Sequence, residues 1–125
     1  GLWYATYDYR IQMRDQMVGM YQHLPEQLPV VSEDYGVHQR WLVFYIDGIK
    51  ILNKPQPENV INEYRKALEK EGWAAEREYV RNDKNKTYGI NMRKGEFVFS
   101  VSARENRDSI NIHLIKRDWI YHMGL

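Results

Sequence analysis

The sequence predicts an α+β domain: an antiparallel sheet of five to six strands with one packed helix, in the order β-β-α-β-β-β-β, preceded by an N-terminal helix. Three observations carry this. From Trp73 to Lys116 apolar and polar residues alternate with period two, broken by turn residues at short intervals, which is the pattern of an antiparallel meander. Ahead of it, apolar residues recur with a helical period over 58–71. The whole chain has 125 residues, the commonest size of a single domain, and this length buries roughly two-thirds of the surface of the unfolded chain.

The first residues carry two patterns. Trp3, Ala5, Tyr7, Tyr9, Ile11 and Met13 alternate with polar neighbours as a strand would, while Tyr7, Ile11, Val18 and Tyr21, with Met17, Met20 and Leu24, fit a helical face. The second pattern is longer and Pro25 supplies a stop, so a helix over 6–23 is expected. Pro25 and Pro29 bracket a loop, Val30-Val31 begins a short strand, and Ser32-Glu33-Asp34-Tyr35-Gly36 reads as a turn. Trp41–Ile46 is apolar on both sides, as a covered central strand would be. Asp47-Gly48 signals a hairpin, with Ile49, Ile51 and Leu52 on the return strand.

The helix over 58–71 places Val60, Ile61, Tyr64, Ala67 and Leu68 on one face, with Glu58 at its positive end. Gly72 suits the left-handed residue that ends a helix, and Trp73 beyond it can pack back on Leu68. Four strands follow: Trp73–Arg81, Thr87–Arg93, Glu96–Ala103 and Ser109–Lys116. Phe97, Phe99, Val101 and Ala103 share one face, as do Ile110, Ile112 and Leu114. The tail from Trp119 to Leu125 is apolar without a period. The expected organisation is one domain: an N-terminal helical segment over 1–27, a sheet-and-helix core over 28–118 and the apolar tail over 119–125.

Trp41–Ile46, the run Tyr64-Arg65-Lys66-Ala67-Leu68-Glu69-Lys70-Glu71-Gly72-Trp73, and Phe97–Val101 with Ile110–Leu114 together resemble small exported domains of unknown function attached to bacterial membranes. The likeness covers most of the last hundred residues and its motifs are architectural, so it transfers no site residue. It implies an extracytoplasmic or membrane-anchored setting, with a cytoplasmic one left open. The chain opens Gly1-Leu2 without Met, as a trimmed signal, a removed anchor or a domain truncation would each leave it.

Composition narrows the function classes. Eighteen basic against seventeen acidic residues give +1 overall. Residues 1–52 hold four basic and six acidic side chains and 53–125 hold fourteen and eleven, a split of −2 and +3 without real polarity. A pI near 8.1 falls short of a nucleic-acid binder, and Arg93-Lys94-Gly95-Glu96-Phe97 has Glu96 where an RNA-recognition strand needs an aromatic, so no nucleic-acid partner is expected. Membrane attachment is expected only through a missing N-terminal anchor. There is no cysteine, which removes disulfides and thiolate chemistry. Four Trp, ten Tyr and three Phe suit a core and interfaces alike.

Catalytic patterns are sparse. His23, His38, His113 and His122 lack metal-ligand spacing, so no metal and no cofactor are expected. Neither a Gly-x-Ser-x-Gly elbow nor a phosphate loop occurs. Glu76 and Glu78 share a strand parity, as a glycosidase pair or a wet face would. Asn85-Lys86-Thr87 is a formal glycosylation sequon. Ser100, Ser102 and His113 are able to meet on neighbouring strands, without an evident acid partner or an oxyanion turn. Asn91, Arg93, Ser100, Ser102, Asn111 and His113 alternate away from the helix and form the expected binding face. The expectation is a non-catalytic binding or interaction module, whose partner is a protein or a small ligand. The alternative is a small hydrolase-like enzyme using Ser and His on that face.

Overall fold

In the computed structural model, residues 6–24, 28–40 and 42–117 are described. The strand pattern at Trp3 and Ala5, the central-strand residue Trp41 and the apolar tail lie outside them. The order is α1 (Tyr7–Gln22), β1 (Val30–Arg40), β2 (Val43–Leu52), α2 (Pro57–Lys70), β3 (Ala74–Asn82), β4 (Lys86–Lys94), β5 (Phe97–Arg104) and β6 (Ser109–Lys116). The six strands form one sheet in the order β1-β2-β6-β5-β4-β3, antiparallel throughout. A seam between β2 and β6 joins the first hairpin to the later meander.

Both helices lie on the same side of the sheet. α2 packs on β3, β4 and β5, and α1 packs on β2. Val60, Ile61, Tyr64, Ala67 and Leu68 of α2 are buried against Ile90, Met92, Phe99, Val101, Ile112 and Leu114 of the sheet. The helix ends as its sequence predicts. Gly72 has φ +91°, its N–H bonds to the Glu69 carbonyl (3.1 Å), and the Trp73 N–H bonds to the Leu68 carbonyl (3.0 Å). That is the paired arrangement of a Schellman stop, and Trp73 packs on Phe99 with ring centres 4.7 Å apart.

Three sequence expectations are corrected. In α1 the buried stripe is Met13, Met17 and Tyr21, continued by Leu24, while Tyr7 and Ile11 are exposed. The segment Ser32–Gly36 is not a turn but the middle of β1, and Asp47-Gly48 is not a hairpin but the middle of β2, with Gly36 opposite Asp47 and Tyr35 opposite Gly48. A two-residue Asp-Gly turn needs positive φ, and neither Asp47 nor Gly48 has it. Gly48 serves close approach instead: a Cβ there would stand 1.7 Å from Tyr21 Oη. The chain reverses around Leu42, so one long hairpin replaces two short turns.

Tyr21 is part of a polar inclusion beneath β1 and β2. Its ring packs on Tyr35 at 4.6 Å, and Lys50, only 2% exposed, reaches Glu33 at 3.6 Å. The Tyr21 hydroxyl is buried without a hydrogen-bond partner among the described residues. Burial pushes its pKa up to about 12, against the opposing pull of Lys50.

Candidate functional site

Among the described residues nothing covers the centre of the sheet on the side away from the helices. Because facing residues of adjacent strands point to the same side, the register lays out rows across the strands. One row runs Gly36, Asp47, His113, Ser100, Asn91, Arg77, and the next runs Asp34, Ile49, Asn111, Ser102, Gly89, Tyr79. A cleft of about 570 Å³ opens on these rows, lined by Asp34, Asp47, Ser100, Ser102, Asn111 and His113, and bounded by Ile49 and Tyr79.

Four of the six residues expected on this face therefore line the cleft. Asn91 sits opposite Ser100 in the same row but is not in the cleft lining. Arg93 is committed at the end of its strand, where its Nε donates to the Gly95 carbonyl (2.8 Å) and its guanidinium pairs with Glu76 at 3.4 Å. Val98 shares the parity of Ser100 yet is buried, facing Arg93 and Ile115 across the sheet, so the face is not open along its whole length. Glu76 and Glu78 do not form a pair. A bulge between Ala75 and Arg77 interrupts the ladder, leaving Glu76 with Arg93 and Arg117 and Glu78 with Arg65 of α2 at 3.1 Å. The Arg117 contact holds the Glu76 carboxyl below its ordinary pKa.

Sequence reasoning missed Asp34, Asp47 and Tyr79. Asp47 is the acid that Ser100 and His113 lacked on paper. His113 Nε2 lies 3.7 Å from Asp47 Oδ1, and His38 Nε2 lies 3.9 Å from Asp47 Oδ2. Tyr45 is stacked on His38 at 4.9 Å and tilted against His113 at 5.7 Å. Desolvation lowers the His113 pKa, and Asp47 offsets part of that shift. Among the described residues no hydrogen bond joins the Ser100 hydroxyl to His113. Asp47 was hidden by reading Asp-Gly as a turn. Tyr79 was hidden because nothing local shows that Gly89, opposite it in the ladder, leaves the space its ring fills. A Cβ at Gly89 would stand 2.2 Å from Tyr79 Cζ.

The chemistry on offer is hydrogen bonding by hydroxyl, amide and imidazole groups on a rigid floor, beside two carboxylates. Among the described residues no group of three His, Asp or Glu side chains is placed to hold a metal ion, and no helix is long and apolar enough to cross a membrane. Comparison with protein-family models, with curated proteins and with solved structures finds no match.

Proposed function

We propose that this domain is a non-catalytic binding module of the extracytoplasmic space that holds a small polar ligand in the open-face cleft. One observation carries the reading. Both helices sit on one side of the sheet, and the other side presents a cleft whose floor is Ser100, Ser102, Asn111 and His113 on adjacent strands. Concave sites with a few convergent polar groups on rigid elements suit small ligands. The extracytoplasmic setting rests on the resemblance to exported bacterial domains. The test is a screen of small soluble compounds by amide chemical-shift mapping. Shifts centred on residues 100, 102, 111 and 113 are expected, and a screen whose hits move only other surfaces refutes the reading.

A second reading, a small hydrolase, is favoured by the Asp47–His113–Ser100 row. The order of groups is that of a nucleophile, a base and an orienting acid. It ranks second because the Ser100 hydroxyl and His113 share no hydrogen bond, the contact that activates such a nucleophile. Hydrolysis of p-nitrophenyl acetate that disappears in both Ser100→Ala and His113→Ala would place it first.

A further inference from the structure

Charge is divided unevenly over the open face. Asp34 and Asp47 line the cleft at its β1–β2 side, whereas no Lys or Arg is among the residues lining it. Three arginines of the same face are engaged beside the cleft, and Arg104, of the same parity as Ser102, lies with Arg107 in an adjoining hollow that shares Ile49, Ser102 and Asn111 with it. Arg77 and Arg81 fold onto the Tyr79 ring, each guanidinium carbon 5.2 Å from its centre, and Arg93 is held by Gly95 and Glu76. The floor contributes neutral groups: Ser100, Ser102 and Asn111, with His113 favoured in its uncharged form by burial. Beside the carboxylates stands Ile49, 44% exposed and directly opposite Asp34 in the ladder, which supplies apolar contact at the negative end.

Resting on the binding reading above, we propose that the ligand is an organic ammonium: a positively charged amine at Asp34 and Asp47, carried on a small apolar body that meets Ile49. Three features argue for it together: a cleft of about 570 Å³, two carboxylates with no Lys or Arg among its lining residues, and an apolar side chain adjoining them. A metal cation fits less well, since the described carboxylates and imidazoles do not converge on a common point. Acidification works against the amine. His113 of β6 and His38 of β1 both face Asp47, and protonating His113 places a rival cation on the carboxylate the ammonium uses. Around His113 stand Asp47 and Tyr45 of β2 and Ser100 of β5, with Arg77 and Tyr79 of β3 and Asp34 of β1 on the same face.

The experiment uses three probes of one shape and different charge: cyclohexylamine, cyclohexanol and cyclohexanecarboxylate. Each is titrated into the protein with amide shifts as readout. The amine is expected to bind about fivefold tighter than the alcohol, the yield of about 1 kcal/mol from partly exposed charge pairing. The carboxylate is expected to leave the cleft amides unmoved. In Asp34→Asn/Asp47→Asn the amine should fall to the level of the alcohol, whose unchanged binding reports that the fold is intact. Amine affinity in the wild type should also drop as the pH falls below about 6.5, the ordinary histidine value, since burial lowers His113 from there. Equal binding of all three probes, or preference for the carboxylate, overturns the ammonium assignment while leaving the cleft a ligand site. A cleft that responds to none of them overturns both.

Discussion

Gly48 is the position where a one-carbon change tests the most of this structure. It lies in mid-strand, its missing side chain directed at Tyr21 of α1. A Cβ built there stands 1.7 Å from Tyr21 Oη, 2.7 Å from Cζ and 3.2 Å from Cε2. Ordinary carbon contacts begin near 3.5 Å, so Gly48→Ala forces the buried ring or the helix to move. Overpacking of this kind costs about 1–3 kcal/mol. Tyr21→Phe removes the first clash and also a buried hydroxyl without a hydrogen-bond partner among the described residues, whose desolvation is itself a cost of order 1 kcal/mol. Tyr21→Phe alone is therefore expected to be neutral or stabilising. In the double variant the penalty at residue 48 should shrink without vanishing, because the ring carbon at 2.7 Å remains. Urea unfolding of the four proteins gives the coupling directly. An unchanged midpoint for Gly48→Ala, or an equal penalty in both backgrounds, refutes the proposed seating of α1 on β2.

Phe99 of β5 is 2% exposed and packs on Trp73, so Phe99→Ala should cost about 3–5 kcal/mol, read as a large fall in the urea midpoint; a shift under about 1 kcal/mol contradicts its place in the core. Gly72→Ala should cost about 1 kcal/mol, since φ is +91° while the nearest atom to a new Cβ, on Lys94, is at a comfortable 3.7 Å; an unchanged midpoint would show that the left-handed conformation carries no penalty here. His113 is lowered from 6.5 in the folded state, so on acidification the unfolded chain takes up its proton first. Stability should fall with pH from about 6.5 down to the folded value and then level off. His113→Gln should flatten that part of the profile, and an unaltered slope would remove His113 as its source.

The elements that sequence made legible are those whose signals are local. Val60 to Leu68 define α2 by period alone, Gly72-Trp73 define its stop, and the parity of Phe97–Ala103 and Ser109–Lys116 sorts core from open face. Ser100, Ser102, Asn111 and His113 were readable for the same reason. What failed depended on contacts across the sheet. Asp47-Gly48 and Ser32–Gly36 carry turn residues, yet their conformation is set by the long β1–β2 ladder and by Tyr21 above Gly48, neither of which leaves a trace within a few residues. The loss of Asp47 from the reading followed from that error, and with it the acid beside His113. Arg93 had the right parity, but the bulge at Glu76 that captures it is an irregularity no alternation pattern encodes.

The seam between β2 and β6 has a consequence for how the cleft comes into being. Asp34, His38 and Asp47 belong to the N-terminal hairpin, and Ser100, Asn111 and His113 to the C-terminal meander. Local hairpins form readily, whereas closing β2 on β6 brings together segments distant in the chain and bears the larger loop-closure entropy. Acid and base therefore meet only when β2 and β6 pair. A chain cut in the connection between β2 and α2 would yield two fragments, each carrying half of the lining, and ligand recognition would report their reassociation.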